Sequence, residues 1–320
     1  MNAADHRELR IIEAINNSKN LSTISDRLFT VTSLQKASPA FGFDAPEGIL
    51  LYKSTGGACL GEAKESYGIL QPDDFFAHIV GGLLDLEKET GKAYDFDANE
   101  IEYIESKGGK VISFKIPLRQ IEIGTAKKVG DVTDIYALFQ TSFDGSIATS
   151  LSIFSRRVAC SNMALFRTQK DSFISFKHTE KQNQKAVSYV DAILKSSGNV
   201  TKYEELLERV GAIEIRTHRQ VEKYLSKVLG YDVRGKEDAD TGEFKDLHVK
   251  RQAQVDGLIE AWEIEREDAG NNVFGLFNGI TRYTNWENKD THRGFDWVTL
   301  NKTGVDMNLR AEKLIVELAR

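Results

Sequence analysis

Two adjacent arginines, Arg156 and Arg157, sit in a stretch (144–178) where Arg167, Lys170, Lys177 and His178 alternate with Phe154, Phe166, Phe173 and Phe176. Cationic side chains neutralise phosphates and aromatic faces stack on unpaired bases, so a single-strand binder needs both on one surface. Lys127 and Lys128 add a basic pair just upstream. The candidate nucleic-acid-binding residues are therefore Lys127, Lys128, Arg156, Arg157, Arg167, Lys170, Lys177 and His178, with Phe166 and Phe173 as stacking faces. Strand alternation offers a competing arrangement, in which the phenylalanines face a core and the cations face water.

Charge distribution favours the same region. Residues 107–189 hold 13 Lys and Arg against 6 Asp and Glu, a local net of +7. Residues 1–106 carry −9 and residues 190–320 carry −4, within an overall −6. A basic centre between acidic flanks points to a polyanionic partner.

Other chemistries lack their patterns. No GxxxxGK[ST] or post-strand GxGxxG provides a phosphate loop, and HExxH, GxSxG and HxE…PCxxC do not occur. His6, His78, His178, His218, His248 and His292 are scattered, with no pair at metal-ligand spacing. Glu260, Glu263, Glu265, Glu267 and Asp268 share a helical stretch with the apolar Val255, Leu258, Ile259 and Trp262, so they mostly mark its solvated side. Asp238, Asp240 and Glu243 lack the full ligand pattern of a calcium loop. Cys160 lies among apolar neighbours without a base beside it in sequence, which predicts a buried structural thiol. No catalytic residue, metal site or cofactor is expected.

The elements that position these residues read as α+β, with antiparallel β-meander sheets packed with helices and a helical C-terminal part. A helix is predicted over 5–17, then a polar arm over Asn20–Ser38. Glycine pairs Gly56-Gly57 and Gly108-Gly109 predict two hairpins, and Asp144-Gly145 a third of type I′ geometry. Pro72, Asp73 and Asp74 suit the start of a helix carrying Phe75, Phe76, Ile79, Val80 and Leu83. The spacing of Ile112, Phe114 and Ile116 predicts sheets wet on one face. Helices follow over 180–195, 201–211, 217–229, 245–266, 272–286 and 308–319, with an exposed loop over Asp232–Asp246. Three regions result: 1–45 as helix and arm, 46–195 as a mixed core with the basic strands, and 196–320 as a helical region packed on it.

At 41% hydrophobic and 28% charged, a chain of 320 residues can bury a sizeable core. Two cysteines without a CxxC predict a reducing, cytoplasmic setting, and no apolar run reaches the ~20 residues of a membrane span.

The order FDGS (143–146), SRRVACSNMAL (155–165) and FISFKHTEK (173–181) resembles the central signature of the family called domain of unknown function 932. Two further stretches, 52–76 with its LG…Y…QP pattern and 273–286 with NGITRY, are similar to that family's flanking regions, so the likeness runs from about Gly48 to Leu318. Phe143 stands where many members have His, a departure that weakens a catalytic role there. Asn162 and Asn278 occupy family-type positions and suit turn or helix-packing roles equally. The resemblance implies a phage- or plasmid-borne protein without an agreed activity. A meander followed by a long helix is also similar, at fold level only, to ring-forming strand-annealing recombination proteins.

Three functions stay open. The first is non-enzymatic binding of single-stranded DNA in replication or recombination of a mobile element, with a homo-oligomer as one form. The second is a protein–protein module, such as an inhibitor or partner of a host defence complex. The third is a nuclease built from dispersed carboxylates.

Overall fold

The computed structural model describes residues 3–35, 48–90, 100–124, 132–157, 163–166, 173–179, 181, 198–237, 244–284 and 302–320. The chain divides into two compact units built from interleaved segments. One comprises Met1–Arg119, Tyr136–Ile153 and Asp171–Gly198, the other Gln120–Ile135, Phe154–Lys170 and Asn199–Arg320. Antiparallel sheets packed with helices, and a helical C-terminal part, make the fold α+β.

The first unit begins with α1 (Ala3–Asn17) and α2 (Lys19–Arg27). Arg7 and Arg10 of α1 pair with Asp85. The polar arm expected over 20–38 is instead α2 followed by β1 (Val31–Gln35). The Ser18 hydroxyl caps α2 by accepting from the Leu21 N–H at 3.3 Å, and Leu21 and Ile24 are buried. A cap and two buried side chains outweigh a Ser/Thr-rich composition. β1 pairs with β2 (Ile49–Lys53), and β2 with β3 (Cys59–Ala63), all antiparallel. Beside β1, the Gln71 amide accepts from the Val31 N–H and donates to the Val31 carbonyl, each at 2.9 Å, completing the edge as a neighbouring strand would.

A larger sheet orders β4 (Glu102–Ser106), β5 (Val111–Glu122), β6 (Val132–Ser142), β7 (Thr149–Arg157) and β8 (Met163–Phe166) in succession, a meander. β9 (Phe173–Phe176) departs from it, returning antiparallel to β7 with Thr149 opposite Phe176. α3 (Pro72–Thr90) starts at the expected proline and covers one face of this sheet. Phe75 meets Phe114 and Phe139 edge-on, with centroids 5.8 and 6.3 Å apart, and Phe76 stacks on Phe114 at 5.4 Å. Each such ring, buried fully, contributes ~1.5–3 kcal/mol.

The other face is not wet, contrary to the alternation in β5. Ser113, Lys115, Gln140, Ser150 and Ser152 are all buried. Burial of polar groups is tolerable because they find partners. Gln140 Nε2 donates to Ser113 Oγ at 3.1 Å, and the Lys115 ammonium pairs with Glu102 while lying 4.8 Å from the Tyr136 ring centre.

The second unit holds α4 (Gly198–Gly211), α5 (His218–Leu229), α6 (Val249–Ala269), α7 (Val273–Arg282) and α8 (Lys302–Leu318). Thr217 and Gln220 form a capping box at the start of α5, and Gly230 ends it at φ +78°. The loop expected over 232–246 carries a small ladder, β10 (Lys236–Glu237) with β11 (Phe244–Lys245). α7 and α8 both pack against β8. The predicted helix over 180–195, Lys181 apart, and Cys160 and Asn162 lie outside the described residues, whereas Cys59 is exposed. Among the described residues no helix is long and apolar enough to cross a membrane.

Candidate nucleic-acid interface

Three family-like stretches that are far apart in sequence meet at one end of the first unit. Between β6 and β7 the chain makes the turn 143–148, clipped by Ser142, whose hydroxyl donates to the Ile147 carbonyl at 2.7 Å and accepts from the Ile147 N–H at 3.0 Å. Asp144 closes the turn by accepting from the Ser146 N–H at 2.9 Å. Only Gly145 has a positive φ here, +71°, so this six-residue connection is not the expected two-residue type I′ hairpin, which needs two left-handed residues.

The other two stretches hold this turn in place. Gly61 of β3 lies under it, where an added Cβ would stand 2.7 Å from Asp144 Cα, so no larger residue fits without a shift. The Tyr67 hydroxyl donates to the Ser142 carbonyl at 2.6 Å. Its ring stacks on His178, with centroids 4.9 Å apart and planes 21° off parallel. His178 Nε2 lies 2.7 Å from the Ile147 carbonyl, which can only accept, so Nε2 carries the hydrogen. Nδ1 then accepts from the Thr149 hydroxyl, a long contact of 3.5 Å, and Thr149 accepts from Thr141 at 2.9 Å. Phe143, at the position of the family's frequent histidine, is buried edge-on to Phe29 with centroids 5.9 Å apart.

The electrostatics keep this knot neutral at its centre. Burial holds the His178 ring below its ordinary pKa, against the Ile147 carbonyl and the Asp144 charge. Burial, and then Asp144, pushes the Tyr67 phenol well above its usual range. Burial alone would raise Asp144, but hydrogen bonds from Ser146 and the nearby Lys107 ammonium bring it below its ordinary value. An imidazole with both nitrogens engaged, stacked on a phenol that is itself hydrogen-bonded, makes a clasp on the turn.

The segments that meet at the clasp carry lysines. Lys64, Lys107 and Lys177 are exposed and Lys110 half-buried, against exposed Glu65 and half-buried Asp144, so the loops carry more cations than anions. Lys107, Gly108 and Gly109 all have positive φ (52°, 68° and 91°), which turns the chain sharply between β4 and β5. The Lys110 carbonyl accepts from the Phe143 N–H at 2.7 Å, fixing that hairpin beside the turn.

Of the residues read from sequence as nucleic-acid contacts, Lys177 and His178 fall at this end, Lys177 exposed and His178 half-buried in the clasp. Arg156 and Arg157 are the last residues of β7, while β9 pairs only with Thr149–Ser152. Lys127, Lys128, Arg167 and Lys170 lie outside the described residues, as do the side chains of Arg156, Arg157, Phe166 and Phe173. Phe154 and Phe176 are buried. Tyr67, Gly61, Lys107 and Lys110 were not singled out from sequence, although Gly61 and Tyr67 lie in the LG…Y…QP stretch and the lysines flank a glycine pair. Among the described residues no group of three His, Cys, Asp or Glu side chains is placed to hold a metal ion.

An α+β chain whose scattered motifs converge on one clasped turn defines the class. The family described as "Domain of unknown function (DUF932)" matches residues 61–313, well over half of the chain, and the chain belongs to that family. No curated protein and no solved structure matches it.

Proposed function

We propose that this chain is a non-enzymatic nucleic-acid-binding protein that takes single-stranded DNA at the loop end of its first unit, in the replication or recombination of a mobile element. The observation that carries this reading is the set of four lysines, 64, 107, 110 and 177, on the segments that meet at a turn whose own polar groups bond to one another. With the clasp's donors and acceptors engaged internally, the charged groups this end offers to a partner are ammoniums in excess over carboxylates, and phosphates are the complement of that excess. The +7 of residues 107–189 supplies further positive charge in the same segment of sequence. Family-like positions gather around the turn without forming a catalytic constellation, which favours binding over chemistry.

The test is fluorescence anisotropy of a labelled single-stranded oligonucleotide titrated with the full chain over a series of salt concentrations. Binding at low salt that weakens linearly in log–log form, with a slope of about −0.7 per phosphate contact, is expected. Unchanged anisotropy at the lowest salt overturns the reading.

A further inference from the structure

The net −4 of residues 190–320 conceals a basic island. Between Arg216 and Lys236 there are six Lys and Arg against two Asp and Glu, a local +4, which leaves −8 for the remainder of that third. Helix α5 and the turn after it bring three of the six cations to one groove. Arg219 and Lys223 are four residues apart on α5, hence on one side of it, and both are exposed. Arg234 joins them from the following turn, and the three line an open groove of about 410 Å³ with Thr217, Gln220 and Ser226.

The groove also contains two carboxylates, one paired with a cation and one beside an imidazole. Asp232 accepts from the Arg234 backbone N–H at 3.0 Å, from Nε at 3.1 Å and from Nη2 at 2.8 Å. Glu222 lies 4.0 Å from His218 Nε2. By contrast, Arg219 has no hydrogen-bond or ion-pair partner among the described residues. Lys223 acts on Glu317 only through space, and Glu317 is already paired with Lys227 at 2.6 Å.

The hold of Asp232 on Arg234 does more than cancel a charge. Gripped bidentately along its Nε–Nη2 edge, the guanidinium is held in orientation, and it lies 4.4 Å from the ring centre of Phe244. Phe244 is 37% exposed, a large aromatic left at the surface against Arg234 of the groove wall. An acidic protein segment would use the cations and leave that platform idle. Duplex DNA keeps its bases stacked inside. A single strand uses both, phosphates on the cations and a base on the flat Arg–Phe pair.

We propose that this groove of the second unit is a further contact for single-stranded nucleic acid. Arg219 and Lys223 take phosphates of the strand, and the Arg234–Phe244 pair stacks a base. The proposal rests on the reading that the chain binds nucleic acid, but its residues are all different from those at the loop end of the first unit.

Two variants of the full chain test it, R219A/K223A and F244L, in the same anisotropy titration with single-stranded and duplex probes of one sequence. All three side chains lie at the surface, so circular dichroism and melting should match the wild type. R219A/K223A is expected to flatten the salt slope by about 1.4, two contacts' worth on a single strand. F244L is expected to weaken single-strand binding roughly tenfold with the slope unchanged, as for loss of one stacked base. Wild-type binding with both variants at wild-type affinity and slope removes the groove and leaves the proposed function standing. No binding by the wild type overturns both. Equal weakening of duplex and single strand by F244L overturns the stacking assignment, as does displacement of the probe by polyglutamate as effective as by unlabelled single strand.

Discussion

The family-like stretch of the second unit, Asn278–Tyr283, and that of the first unit, Phe143–Ser146, belong to the same family match but face different surroundings. In α7, Asn278 donates to the Phe274 carbonyl at 2.9 Å, and Thr281 to the Asn278 carbonyl at 2.9 Å; both are buried. Gly279 presses on α6, where an added Cβ would meet Trp262 Cα at 2.6 Å. Helix packing accounts for those residues. The first unit's stretch is also clasped, yet its Asp144, Gly145 and Ser146 reach the surface beside Lys107. A motif sealed in a core explains a fold, whereas a clasp that ends at a charged surface leaves groups accessible to solvent. The proposed function is therefore placed on the second kind.

The largest effect should fall on the sealed motif. Gly279→Ala drives a methyl group into the α6 backbone, and overpacking of this sort costs ~1–3 kcal/mol, with a backbone neighbour placing it at the upper end. Urea unfolding should register about 3 kcal/mol, and DNA affinity of the remaining folded protein should be unchanged. A neutral Gly279→Ala would break the comparison at its buried end. Next in size is Tyr67→Phe, which strands the Ser142 carbonyl without its donor and should cost ~1–2 kcal/mol. If it costs nothing, the clasp does not hold the turn.

How much of this was legible follows from which forces act locally. The helix at Pro72, the helix over 217–229 and the glycine-pair hairpins are dictated by neighbours within a few residues, and sequence reading finds them. The buried polar face of the larger sheet was not legible, because Ser113 and Lys115 alternate with apolar residues in the manner of a wet face. What distinguishes them is a partner 27 positions away for Ser113 and a glutamate on the neighbouring strand for Lys115. The clasp combines positions as far apart as Tyr67 and Ser142, so composition pointed to the basic segment while the turn's supports stayed scattered. Net charge misled for a related reason. Summing over a third of the chain averaged away the six cations from Arg216 to Lys236.

A binding test sharpens the comparison from the exposed side. Lys107→Ala with Lys177→Ala removes two surface ammoniums and should leave stability within about 0.5 kcal/mol. The salt slope for a single strand should fall by about 1.4 and affinity by roughly tenfold at low salt. The same pair tested on different sequences should weaken all of them alike, since phosphates carry no sequence. A wild-type slope would move the interface away from the clasp.

The smallest effect is a pH dependence, and it reads the clasp directly. His178 titrates below its ordinary value of 6.5 because burial disfavours its charged form. Between its folded and unfolded values the unfolded chain therefore binds more protons, so acid favours unfolding. The stability that depends on a neutral His178 is complete above pH 6.5 and is lost as pH falls through the folded value. Asp144, held below its ordinary 3.8, contributes in a separate and more acid window, since its stabilisation persists until pH drops beneath that value. Urea midpoints at pH 7.5 and 5.5 should thus decline for the wild type and decline less for His178→Gln, which has no ring to protonate. Parallel declines in the two proteins would show that the proton is taken up elsewhere, and that the Tyr67–His178 stack is not what keeps the turn closed.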